Sequence, residues 1–96
     1  CKIVHAGNVY DGSLIDFSLA GIGISTFIEP EFNVGESVTI DSSLSHYIGE
    51  ENRCVIANIK KLVKGWVIGI KFESPITMSH ELKTELLEQS FLTSNV

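Results

Sequence analysis

The sequence predicts a mainly β domain, a six-stranded antiparallel barrel closed on one side by a single C-terminal helix. Three observations predict it. Six short segments between Lys2 and Phe72 are rich in β-branched residues, and most alternate apolar with polar or small residues. Glycine- and proline-containing turn signals separate them. After Pro75 the apolar period changes from two to helical spacing. The strands do not alternate with helices, which argues against a parallel sheet. Closure into a barrel removes exposed sheet edges, which protects a chain this rich in β-branched residues from edge-to-edge association.

Taken in order, Lys2-Ile3-Val4-His5-Ala6 reads as the first strand, followed by turn dipeptides at Gly7-Asn8 and Asp11-Gly12. Leu14 to Phe17 is the second strand, and Ile22 to Phe27, with period two, the third. Glu29-Pro30-Glu31 ends it, and Asn33-Val34-Gly35-Glu36 makes a turn. Ser37 to Asp41 alternates again, and the polar stretch from Ser42 to Asn52 is a loop. From Cys54 to Val63, strict alternation puts Val55, Ala57, Ile59 and Lys61 on one face. Cys54, Ile56, Asn58 and Lys60 then share the other. Lys64-Gly65 supplies a tight turn, and Trp66 to Phe72 returns with Trp66, Ile68, Ile70 and Phe72 on one face. Ser79 is placed to cap a helix, with Glu81 in its first turn, where the helix dipole favours a negative charge. Leu82, Leu86, Leu87 and Phe91 follow at helical spacing, so the helix runs from about 80 to 92.

Ninety-six residues make one domain, 1–96, large enough for a modest core without disulfides. Its 44% hydrophobic content reads as globular. The apolar runs fall short of the roughly 20 residues that span a bilayer, which argues against direct membrane insertion. Seven Lys plus Arg face twelve Asp plus Glu, giving a net charge of −5. A binder of polymeric nucleic acid needs a basic stripe. The only cationic cluster is Lys60, Lys61 and Lys64, which reads as a solvated strand edge. Cys1 and Cys54 do not form a disulfide framework and fit use as small hydrophobes in a reducing cytoplasm. The first residue is Cys rather than Met, so upstream residues are expected in the parent protein.

The sequence carries no constellation for catalysis, and none for a metal or cofactor. His5, His46 and His80 are scattered. Gly21-Ile22-Gly23 lacks the third glycine of a dinucleotide fingerprint, because position 26 is Thr26. Glu29, Glu31, Glu50 and Glu51 sit in loops as solvated charge. Cofactors are expected to be absent, and the chain is not read as an enzyme.

Asp16-Phe17-Ser18-Leu19-Ala20-Gly21 stands apart. Asp and Ser cap turns by bonding nearby backbone N–H groups. Gly21 permits a positive φ, or the close approach of another backbone or a ligand. On spacing alone the run is a structural turn.

The same residues resemble the Asp/Asn-x-Ser-x-x-Gly signature of the PilZ domain family, with Asp16, Ser18 and Gly21 at its three fixed positions. Ile22 follows as the expected apolar residue. Trp66-Val67-Ile68-Gly69-Ile70-Lys71-Phe72 resembles the family's closing strand, and a C-terminal helix follows. The resemblance spans Lys2 to about Phe91. It implies a six-stranded split β-barrel that binds cyclic di-GMP on its outer surface and relays it to a partner protein or neighbouring domain. Such signalling controls motility, biofilm or exopolysaccharide in bacteria, in the cytoplasm. It implies that Asp16, Ser18 and Gly21 contact a guanine. A carboxylate accepts well from the two adjacent N–H donors on one guanine edge. The family's other signature, an upstream Arg-x-x-x-Arg that grips phosphates, does not occur in these 96 residues. It is expected in the sequence that precedes Cys1. A degenerate domain acting by protein–protein contact without nucleotide is the alternative.

Overall fold

A computed structural model describes residues 1–88. Seven strands, all paired antiparallel, form one sheet in the order β2-β1-β5-β6-β7-β4-β3. They are β1 (Lys2–His5), β2 (Asn8–Asp11), β3 (Ser13–Ser18), β4 (Gly21–Thr26), β5 (Ser37–Asp41), β6 (Cys54–Leu62) and β7 (Gly65–Phe72). A one-turn helix, α1 (Ser45–Ile48), lies in the loop before β6, and α2 (His80–Glu88) follows the sheet.

The mainly β, antiparallel fold with its C-terminal helix is the expected one. The count is seven strands rather than six, because the region between the two expected turns is itself a strand. Ala6 and Gly7, both at positive φ, make the two-residue turn. Asn8–Asp11 then pairs back along β1, burying Tyr10. Four residues with one buried side chain leave almost no periodic signal.

The hydrogen-bonded ladder does not close into a barrel. Its two edge strands, β2 and β3, are nevertheless consecutive in the chain, with only Gly12 between them. The sheet therefore curls until its edges meet covalently. Gly12 makes the corner. Its N–H donates to the Cys1 carbonyl at 2.9 Å, and a Cβ there would strike Ile24 and the Ser25 carbonyl. Beside it, the Thr26 hydroxyl donates to the Asp11 carbonyl at 2.8 Å, tying the end of β4 to the end of β2.

The core fills the inside of this curl. Ile3, Ile24, Leu44, Ile56, Ile68 and Phe72 are fully buried there, with Leu82 and Leu86 of α2 as the lid. Each such aliphatic side chain contributes about 1.5–3 kcal/mol by leaving water. Ser79 caps α2 as expected, its hydroxyl accepting the Leu82 N–H at 3.1 Å. Leu87 does not join the core and is half exposed. Phe91 and Leu92 lie outside the described residues. Cys54 is buried and free, and burial pushes its thiol pKa up, so it serves as core.

Strict alternation along β6 fails. The register shifts between Ile56 and Asn58, with Ala57 as the extra residue of a β-bulge. Cys54 and Ile56 face the core before the bulge. After it, Ile59 and Lys61 take the inner side, and Asn58 and Lys60 turn outward. A second shift, between Leu14 and Asp16, makes Ile15 the extra residue in β3.

Candidate functional site

The Asp16–Gly21 run forms the end of β3, a two-residue turn and the start of β4. Ser18 pairs with Gly21, and Leu19-Ala20 span the gap. Neither turn residue adopts a positive φ, so this hairpin lacks the mirror-image turn that matches strand twist. The Ser18 side chain compensates. Its hydroxyl accepts the Ala20 N–H at 3.2 Å and donates to the Gly21 carbonyl at 3.3 Å.

Gly21 has a packing role. Its φ is ordinary, but a Cβ would run into the carbonyl oxygen of Ile70 on β7. Of the uses a glycine offers, this position takes close backbone approach. The turn is also held from outside. The Ala20 carbonyl accepts the Phe72 N–H, and the Leu19 carbonyl accepts the Ile76 N–H, each at 2.8 Å. The chain leaving β7 for α2 is thus bonded to the motif turn.

Asp16 differs from both. It is exposed, and among the described residues its carboxylate has no hydrogen-bond or ion-pair partner. The bulge at Ile15 sets it on the outer face opposite Gly23, whose own Cβ would come within 3.1 Å of the Asp16 Cβ. Gly23 pairs in turn with Gly69 on β7, and Gly69 with Asn58 on β6. One row therefore runs Asp16, Gly23, Gly69, Asn58 across four strands. Three strand spacings make it about 14 Å long. The two middle positions carry no side chain of their own, but neighbours fill the space above them: Asp16 and Ile15 pack against Gly23, which is buried, and the carboxylate stands at that end. Asn58 stands at the other, its amide folded over Gly69. Each bulge turns one polar residue onto this face, a recurrent use of bulges beside functional sites.

The next row along the same face is Ser18, Gly21, Lys71, Val55. Lys71 is exposed there beside Gly21, and Lys60 lies outward on the far side of Asn58. The arrangement offers an acceptor for a polar base edge and cations at the margin for an anion. Sequence reading found Asp16, Ser18 and Gly21, which the fold brings together. It missed Gly23, Gly69, Asn58 and Lys71. The detectable signal was the apolar residue changing parity along β6, from Ile56 to Ile59.

A comparison with protein-family models matches residues 1–91 to the PilZ domain. The chain belongs to the PilZ domain family. Members are ligand-binding and adaptor domains, and cyclic di-GMP is the family's signalling ligand. Neither curated proteins nor solved structures gave a match.

A cleft in this PilZ domain lies away from that face. It measures about 820 Å³ between β1, β5 and the α1 loop, with Asp41, Glu50 and Glu51 on its walls. The chain's one arginine, Arg53, lines it too, but its Nε donates to the Ser37 hydroxyl. Three carboxylates against one engaged arginine suit an anionic ligand poorly. No cluster of metal-ligating side chains occurs among the described residues. His5 packs edge-on to Phe32 and faces Glu36 at 3.5 Å. No helix among the described residues is long and apolar enough to cross a membrane.

Proposed function

We propose that this domain receives cyclic di-GMP on the outer face of β3, β4 and β7, as a signalling module of the bacterial cytoplasm. The observation that carries the reading is the exposed Asp16 carboxylate, without a hydrogen-bond or ion-pair partner among the described residues, on the outer face beside the held Ser18–Gly21 turn. Asp16 accepts from the N–H donors on one guanine edge. Ser18, already closing the turn, presents its remaining lone pair. Lys71 stands near enough along the face to meet a phosphate. Asn58 is a second polar contact at the far end.

The Arg-x-x-x-Arg clamp that the family resemblance implies would reach the site from sequence preceding Cys1. Cys1 sits beside Gly12, four residues along β3 from Asp16, so a segment joining there starts roughly 13 Å from the carboxylate. Ligand that orders this segment changes the surface offered to a partner protein or neighbouring domain, because the ordered state has the extra contacts. The bond from Leu19 to Ile76 gives a second route, toward α2. Control of motility, biofilm or exopolysaccharide is the corresponding output.

The test is calorimetry with cyclic di-GMP on the protein carrying its native upstream sequence. Binding is expected, and Asp16→Ala weakens it by roughly 10–100-fold, as befits loss of a charge-assisted contact. No heat at high ligand concentration sinks the proposal. The adaptor alternative draws support from one observation, the exposed Phe27 and Val63 at the other end of the sheet.

A further inference from the structure

At the far end of β4 from the Ser18 turn, the β6–β7 hairpin turns through Val63 and Lys64. Val63 is fully exposed, at 101%, and Phe27, just after β4, is 86% exposed. They belong to one tip. Leu62 pairs with Gly65, and a Cβ on Gly65 would lie 3.3 Å from the Phe27 ring. Leu62 and Ile28 are also substantially exposed.

This apolar tip coincides with the cationic cluster. Lys60 shares the outward face of β6 with Leu62, Lys64 sits in the turn, and Lys61 lies over the Trp66 ring with its nitrogen 5.5 Å from the centroid. The other four cations, Lys2, Arg53, Lys71 and Lys83, are dispersed among the twelve carboxylates of the chain. The molecule is electrically polarised, with its apolar tip at the positive end.

We propose that this tip docks shallowly on an anionic lipid surface. Lysines around exposed aliphatic and aromatic side chains match the interface of such a bilayer. The ammonium groups meet headgroup phosphates, and Val63, Phe27 and Leu62 enter the acyl boundary. A protein partner fits the shape less well. Stable protein interfaces engage about 20–30 residues a side, whereas a convex turn offers a handful, and a bilayer deforms around it. Docking needs no spanning segment. Glu29 and Glu31 follow Ile28 along the chain, so the attraction is modest and falls with salt.

The experiment mixes the full-length protein, without nucleotide, with vesicles of phosphatidylcholine alone or with phosphatidylglycerol. Trp66 is the only tryptophan and lies in the tip, so its emission reports docking directly. A blue shift and co-sedimentation are expected with the anionic vesicles alone. Val63→Asp, or Lys60→Glu with Lys64→Glu, weakens both roughly tenfold, and Val63→Leu retains them. Absence of both signals at low salt overturns the proposal and leaves an acidic protein surface as the tip's partner. Equal binding to both vesicle types, or binding unchanged in Val63→Asp, also overturns it.

Discussion

The two ends of β4 meet hairpins of the same loop length and opposite character. The β3–β4 turn, Leu19-Ala20, is bound on every side. Ser18 closes it, the Ile70 carbonyl presses on Gly21, and Phe72 and Ile76 take its two carbonyls. The β6–β7 turn, Val63-Lys64, touches almost nothing, and its valine is fully exposed. The held turn presents one free group, the Asp16 carboxylate, at a fixed place. The free turn presents apolar surface with no fixed partner. Rigid positioning suits recognition of a small ligand, whereas a soft interface tolerates the second arrangement.

The sharpest way to break this contrast is Gly21→Val. A side chain there drives into the Ile70 backbone, and overpacking of this kind costs about 3 kcal/mol. Thermal unfolding is expected to fall by roughly 12–24 °C for a domain this small. An unchanged melting temperature would mean that β4 and β7 are not in close contact at this row. Ser18→Ala removes the hydroxyl that closes the turn and should cost about 1 kcal/mol in urea denaturation. The smallest effect belongs to the free turn, where Val63→Ser stays within about 0.5 kcal/mol of the parent. A larger loss there would show that Val63 packs against something, and the contrast would fail.

Most of the fold was legible because inward-facing residues of long strands repeat every second position. Ile22 and Ile24 announce β4, and Ile68, Ile70 and Phe72 announce β7. What escaped were departures from that period. A bulge shifts the pattern by one residue and leaves composition untouched, so Ile15 and Ala57 passed as ordinary strand residues. The row from Asp16 to Asn58 that both bulges frame was invisible for the same reason. The motif residues were legible by type, but their separate roles were not. The need for glycine at position 21 comes from a carbonyl on β7, which no local reading contains. The expectation that Asp16 caps the turn with Ser18 fails, because the bulge at Ile15 sets its carboxylate on the outer face and Ser18 alone bonds the turn backbone.

The bond between the Leu19 carbonyl and the Ile76 N–H has a consequence for the order of assembly. On the ribosome the Asp16–Gly21 turn is made early, but the strand beside it needs β7, and its clasp needs Phe72 and Ile76. The turn must wait, unsupported, until nearly the whole domain has emerged, because β4 has no inner neighbour before β7. A nascent chain therefore holds the motif residues well before it holds the folded face that presents them, which is complete only with the last strand and the link to α2.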